Sequence, residues 1–286
     1  FNRLLDATLE FCRGKGYDFY HRRRHEGLLR CLIVRRGVRT GQLLVNIVTS
    51  CGEFDEGGYI KKIMSTPLDN EVCGIIRTVD YGRSDAVSPD EVRTLYGVPY
   101  YMEKVLDLDF KVGAFSFFQT NVTAAERLYR DAIALIDDIE GKTVFDLYCG
   151  TGTISQAMAT RAGKVYGVEI VEESVNAARE NALLNGLTNC EFICGDVLTT
   201  LEKLPKRPDV IVVDPPRAGI HPKAMASICA YGVEQIVYIS CNPKSLVENL
   251  KQAREYGYEP KLIRPYDNFA FTGHVETVVL MSRVER

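Results

Sequence analysis

The sequence predicts an α/β protein in two parts: a doubly wound, mostly parallel sheet over residues 113–286, preceded by a smaller antiparallel α+β region over residues 1–112. Three observations predict it. From Gly141 onward, short apolar runs alternate with stretches of helical spacing, the pattern of a parallel sheet with crossover helices. Glycines follow the first of those runs, and acids close the next ones. Before residue 112 the apolar runs are separated by turn residues rather than by helices.

Residues 1–18 show an amphipathic helical pattern (Leu4, Leu5, Leu9, Phe11, Cys12) closed by Gly14 and Gly16. Strand-like runs follow at 28–35, 42–49, 74–80, 94–101 and 104–112, broken by turn signals at Gly37, Gly41, Gly57-Gly58, Pro67 and Gly82. The junction F-S-F-F-Q-T-N (115–121) leads into a helix over 122–138. Beyond it strands are expected at 143–148, 164–169, 190–194, 210–214, 233–241, 260–264 and 275–282, with helices near 153–162, 171–185, 222–230 and 244–256. The last strand follows a short link instead of a helix, so it is expected to run antiparallel at or near a sheet edge.

Apolar residues make up 46% of the chain, enough for sizeable cores, and no run reaches the roughly 18–20 apolar residues of a membrane helix. No secretory leader is visible. The chain opens on Phe1 rather than Met, which reads as the central and catalytic part of a longer protein. Nine cysteines at irregular spacing, with no C-x-x-C pair, argue against a metal site or a disulfide framework and for a reducing, cytoplasmic setting. His21 and His25 bracket three arginines, which suits a solvated or phosphate-facing segment better than a metal site. The net charge of −3 argues against a dedicated nucleic-acid binder. Its distribution is uneven: residues 1–40 hold ten Lys/Arg against four acids, and residues 113–286 hold 18 against 22. A basic face joined to an acidic body suits a polyanionic substrate held on one side. A merely exposed basic hairpin is the alternative. Nothing demands an oligomer, and a monomer is expected.

Chemistry concentrates at the strand ends, where open α/β sheets present their ligand crevice. The first turn, Asp146-Leu-Tyr-Cys-Gly150-Thr-Gly152-Thr153, lets backbone approach a ligand at a helix N-terminus. Glu169 closes the second strand about 20 residues later, where an acid accepts hydrogen bonds from a ribose diol. Asp196, after the third strand, lies where the purine would sit. The loop holds no Arg or Lys to neutralise phosphates, which favours S-adenosylmethionine over a pyrophosphate cofactor such as NAD. Asp214-Pro215-Pro216-Arg217 ends the fourth strand on a rigid turn that aims a carboxylate into the crevice. The fifth ends in Ser240-Cys241-Asn242-Pro243. Read alone, Cys241 serves equally as a nucleophile or as a small buried apolar residue, and Gln119 as an incidental cap.

In this order, F-F-Q-T-N (117–121), D-L-Y-C-G-T-G (146–152), G-V-E (167–169), D-P-P-R (214–217), S-C-N-P (240–243) and H-V-E (274–276) closely resemble the RNA uracil-5-methyltransferase family. The run H-E-G-L-L-R (25–30) resembles that family's central domain, so the likeness covers nearly the whole chain. The resemblance implies a Rossmann-like class I methyltransferase domain and an S-adenosylmethionine-dependent enzyme that makes 5-methyluridine in RNA, with ribosomal RNA favoured over transfer RNA. It implies cofactor contacts at Gln119, Tyr148, Thr153, Glu169 and Asp214, with Gly150 and Asp196 in the same pocket. Thr153 departs in type, since some relatives carry Asn there. Cys241 matches the nucleophile and Glu276 the general base.

The chemistry calls for those two residue types. Carbon 5 of uracil accepts a methyl group only after a thiolate adds to carbon 6, and a base must then remove the carbon 5 proton. A cysteine just ahead of a helix is expected to have a depressed pKa. Phe117, Phe118, Phe269 and Phe271 are candidates to stack on a flipped base, although core positions suit all but Phe269. Two features of relatives, an N-terminal RNA-binding barrel and a four-cysteine iron–sulfur cluster, are not visible here. The rival readings are a cytosine-5 methyltransferase, whose Pro-Cys after the fourth strand is missing, and an RNA-binding module that keeps the fold without turnover. An adenine-amino methyltransferase would leave Cys241 idle, and an oxidoreductase would need a third glycine and a proton donor.

Overall fold

Six parallel strands and one antiparallel strand form the larger sheet of the structure, a computed structural model that describes residues 1–84, 86–204 and 207–284. The chain divides into two units, Phe1–Lys104 with Lys111–Phe115, and Val105–Phe110 with Ser116–Arg286.

The first unit begins with α1 (Asn2–Gly14), β1 (Leu29–Arg36), β2 (Gln42–Thr49), α2 (Glu56–Met64), β3 (Glu71–Val79) and β4 (Glu91–Gly97). Its four strands lie in chain order. The expectation of an antiparallel sheet is corrected here: β2 and β3 run parallel, from Gln42 opposite Glu71 to Thr49 opposite Val79. Helix α2 is the crossover that parallel strands require. Its N-cap, Asp55, accepts a 2.8 Å bond from the Gly58 amide. A β-carbon on Gly58 would lie 2.3 Å from that carboxylate, so the glycine pair that reads as a turn belongs to the cap. Leu4, Ala7 and Cys12 of α1 and Tyr59 and Ile63 of α2 bury one face of the sheet with Leu43, Val45, Ile47 and Ile75. Strands β5 (Tyr100–Val105) and β6 (Leu108–Gly113) pair separately as a ribbon whose tip is grouped with the second unit.

Part of the basic stretch is structural. The Arg30 guanidinium lies 4.4 Å from the Tyr20 ring centroid and bonds Asp80 at 3.3 Å and the Gly82 and Ser84 carbonyls. Arg22–Arg24 instead sit in an exposed turn closed by the His25 amide on the His21 carbonyl at 2.8 Å.

The second unit contains α3 (Val122–Ala134), β7 (Thr143–Leu147), α4 (Thr153–Ala159), β8 (Lys164–Glu169), α5 (Glu172–Leu184), β9 (Cys190–Cys194), α6 (Val197–Thr200), β10 (Val210–Val213), α7 (Pro222–Ala230), β11 (Gln235–Ser240), α8 (Pro243–Glu255), β12 (Tyr258–Tyr266) and β13 (Glu276–Arg283). The sheet order is β12-β13-β11-β10-β7-β8-β9. Order reverses between β7 and β10, which places a crevice at their carboxyl ends. Strand β13 is antiparallel to both neighbours and second from the edge, as its helix-free link predicts. The edge strand β12 runs longer than expected, because an edge tolerates Pro260 and Pro265. Phe145, Leu147, Ile211, Val213, Ile236 and Tyr238 pack with Met225, Ile228 and Leu246 of the covering helices.

Candidate active site

The turn after β7 is built from left-handed backbone: Tyr148 at φ +66°, Gly150 at +54° and Gly152 at +74°. For tyrosine this conformation is strained. It is held by the Tyr148 and Cys149 amides, which donate to the Val168 carbonyl at 2.9 and 3.1 Å. Gly152 and Gly167 let the Phe192 ring approach; a β-carbon at either would lie 2.7 or 2.6 Å from it. Glu169 accepts from the Gly150 amide at 3.1 Å and the Val171 amide at 2.9 Å. Each oxygen keeps a second lone pair for a ligand hydroxyl. Asp196 caps α6 through the Leu198 amide at 3.0 Å and acts electrostatically on Tyr148. Thr153, half-buried, is the first residue of α4. Tyr148, Gly150, Glu169 and Asp196 thus surround one turn.

A second group gathers where β7, β10, β11 and β13 present their ends. Asp146 is fully buried; Ser155 donates to one oxygen at 2.5 Å, and the other oxygen has no partner. Burial pushes its carboxyl up to about 7, against the opposing effect of Ser155. Asp214, half-buried, is pushed well above the usual carboxylate range by burial, then by Glu276 and Asp146. Glu276 is 6% exposed and also raised by burial, with Arg217 pulling it down. Gln119 hydrogen-bonds the buried Tyr129 hydroxyl, which feels Asp214, Glu276 and Asp146. Three acids held in low dielectric with an orphaned oxygen suit a cationic ligand.

Cys241 is half-buried directly ahead of Asn242, the N-cap of α8. The antiparallel register ends with Ser240 opposite Thr277, so the next positions across the pair are Cys241 and Glu276. The expected depression of its pKa is corrected: burial raises the thiol, Glu276 and Asp214 raise it further, and Arg217 and a backbone hydrogen bond only partly offset them. Burial is the largest of these effects, because low dielectric disfavours the thiolate, and like charge from the two carboxylates adds to it.

Tyr129, Arg217 and His274 join this group without having been singled out as site residues. The Arg217 carbonyl accepts from Asn242 Nδ2 at 2.8 Å and Ser245 Oγ at 3.1 Å, and its guanidinium meets His274 Nδ1 at 3.3 Å. Both stand inside the quoted motifs D-P-P-R and H-V-E, the only signal that could have found them. The core reading of the aromatics is corrected for two of them: Phe117 is 69% exposed and Phe271 fully exposed. Phe118 leans on Phe110 at 5.9 Å, and Phe269 meets the His274 ring nearly edge-on at 6.3 Å. Among the described residues no group of His, Cys, Asp and Glu could hold a metal ion, and no helix is long and apolar enough to cross a membrane.

A seven-stranded sheet of this order, with acids along its switch-point crevice, belongs to the Rossmann-like methyltransferase class. A sequence model of the tRNA (uracil-5-)-methyltransferase family matches residues 104–284, and the chain belongs to that family. An uncharacterised RNA methyltransferase of Clostridium acetobutylicum is 44% identical over 284 residues, covering 99% of this chain and 62% of that protein. One of Clostridium tetani is 45% identical with the same coverage, 99% and 62%. The chain therefore spans about three fifths of the length of these relatives. Among solved structures, the Pyrococcus abyssi tRNA (uracil-54, C5)-methyltransferase in complex with S-adenosyl-L-homocysteine is similar. It aligns with a TM-score of 0.84 and 30% identity over 98% of this chain and 66% of that one.

Proposed function

We propose that this chain transfers a methyl group from S-adenosylmethionine to carbon 5 of a uridine in RNA through a covalent bond to Cys241. The observation that carries the reading is that Cys241, one step past the last β11–β13 pair, feels Glu276 and Asp214 at the crevice where Asp146 also acts on Asp214. S-adenosylmethionine, when bound, supplies an electrophilic methyl on a cationic sulfur. Its positive charges match the orphaned Asp146 oxygen and the Asp214 carboxylate, and its ribose matches Glu169, with Gln119, Tyr148, Gly150, Thr153 and Asp196 completing the pocket. Cys241, having lost its proton to water, bonds carbon 6, and the displaced π pair makes carbon 5 nucleophilic. After methylation Glu276 takes the carbon 5 proton; the pair left behind restores the ring double bond and expels the thiolate.

Residues 113–286 carry this chemistry in the proposal, and residues 1–112 face the RNA, with Arg22–Arg24 among the exposed cations of their basic surface. All nine cysteines are free, which supports a reducing, cytoplasmic setting; a monomer suffices. The resemblance favours ribosomal RNA, while the family's name and the Pyrococcus relative point to transfer RNA.

The test offers both RNAs, lacking 5-methyluridine, with labelled S-adenosylmethionine. Label is expected in 5-methyluridine with the intact protein and none with Cys241→Ala. Glu276→Gln is expected to accumulate a methylated covalent adduct, since the carbon 5 proton stays in place. Cofactor binding with neither transfer nor adduct would overturn the enzymatic reading and leave an RNA-binding module that keeps the fold.

A further inference from the structure

Arg217 is clamped at its main chain by α8 but has a single hold on its charged end. Its carbonyl takes the Asn242 and Ser245 side chains, whereas among the described residues its guanidinium makes one hydrogen bond, to His274 Nδ1 at 3.3 Å. A guanidinium never gives up its proton, so it is the donor and Nδ1 must be the bare, accepting nitrogen. The imidazole is itself braced: its ring meets Phe269 at 82°, and its backbone amide donates to Thr272 Oγ1 at 3.2 Å. Thr272 in turn donates to the Phe269 carbonyl at 2.7 Å, which closes the loop on itself. Arg217 is the cation that acts on both Cys241 and Glu276.

We propose that His274 is a positioning residue: its Nδ1 holds the Arg217 guanidinium beside Cys241 and Glu276. The proposal rests on the uracil-5 reading for its catalytic meaning, but the hold itself is a property of the protein alone. Among the described residues, the charged group in contact with His274 is Arg217, from the β10–α7 loop, and Phe269 and Thr272 are its uncharged neighbours. Without the Nδ1 acceptor the guanidinium is no longer held, and the thiolate loses the cation that favours it.

Two substitutions separate positioning from packing. His274→Asn presents an amide oxygen that can accept from Arg217. His274→Phe keeps an aromatic ring against Phe269 but offers no acceptor. The first readout needs no RNA: alkylation of Cys241 by iodoacetamide across pH, followed on the Cys241 peptide by mass spectrometry. His274→Phe is expected to slow alkylation at fixed pH by about threefold or more and move the profile to higher pH, the direction in which losing a cation moves a thiol. His274→Asn is expected to stay near the intact protein. The second readout is the rate of adduct formation with 5-fluorouridine RNA, with S-adenosylmethionine affinity measured alongside. His274→Phe is expected to lose roughly tenfold in rate, one unit's worth of charge stabilisation, at unchanged cofactor affinity, and His274→Asn to recover most of it. Phe and Asn variants that behave alike in the alkylation profile, or a Phe variant that matches the intact protein, would overturn the proposal. If the intact protein forms no adduct with any RNA, the uracil-5 reading fails, and the alkylation profile still decides the role of His274.

Discussion

Cys241 is a thiol whose surroundings oppose its ionisation. Burial and two carboxylates raise it, and Arg217 opposes them, so its reactivity measures the balance of charge around it. Glu276→Gln is expected to speed alkylation of Cys241 at neutral pH, and Arg217→Gln to slow it; equal rates in all three proteins would show that these charges do not reach the sulfur. Asp146 makes a second prediction. Its carboxyl titrates near about 7 when folded, against 3.8 as the ordinary value, so between those pH values the folded chain holds the extra proton. Stability must then fall as pH rises through that window. Above it the buried charge costs about 4 kcal/mol, three pKa units' worth. Asp146→Asn is expected to stabilise the ligand-free protein at pH 8, with the gain vanishing towards pH 4, as read by urea denaturation. At this scale the sequence was most informative, through position, about the acids that close strands, Asp146, Glu169 and Asp214, whereas Cys241 was ambiguous read alone and Glu276 was legible only through the family resemblance. It was silent on Tyr129, because a tyrosine on the apolar face of a helix looks like any other core residue. The effect of two acids on one thiol was likewise hidden, since it depends on distances across three strands.

Among the elements, the turn between β7 and α4 depends on two glycines that admit the Phe192 ring. Gly167→Ala would drive a β-carbon to 2.6 Å from that ring and 2.9 Å from Cys149 Sγ. A loss of roughly 1–3 kcal/mol is expected, the ordinary cost of overpacking, with weaker ligand binding because Glu169 lies two residues on; an unchanged urea midpoint would count against it. Asn121 serves α3 twice, accepting from the Ala124 amide at 3.2 Å and donating to the Asn268 carbonyl at 3.0 Å. Asn121→Ala is expected to cost about 1 kcal/mol, the value of a missing N-cap, in the same measurement. Elements with strong apolar runs were legible to within a residue or two, β8 and β9 among them. Helix α2 was not, because its glycines serve a cap that only the fold reveals, and with it went the parallel pairing of β2 and β3.

For the molecule as a whole, alternation along the chain was sufficient to predict the doubly wound sheet and its antiparallel penultimate strand. Charge was legible only as a sum. Of the cations in residues 1–40, Arg30 is consumed internally, whereas Arg22, Arg23 and Arg24 remain exposed. Arg22→Gln with Arg23→Gln is expected to weaken RNA binding and to reduce its salt slope by about 1–2, one step for each phosphate that is no longer neutralised; an unchanged slope would place the RNA elsewhere. The register between β11 and β13 has a further consequence. Facing positions on antiparallel strands lie about 4.5–5.5 Å apart at Cα, a span that a disulfide can bridge. Glu276→Cys would therefore give Cys241 a covalent partner. Mild oxidation should staple the two strands, hide Cys241 from thiol reagents, and yield one cross-linked peptide containing residues 241 and 276. The proposed nucleophile would become a ruler for its own sheet.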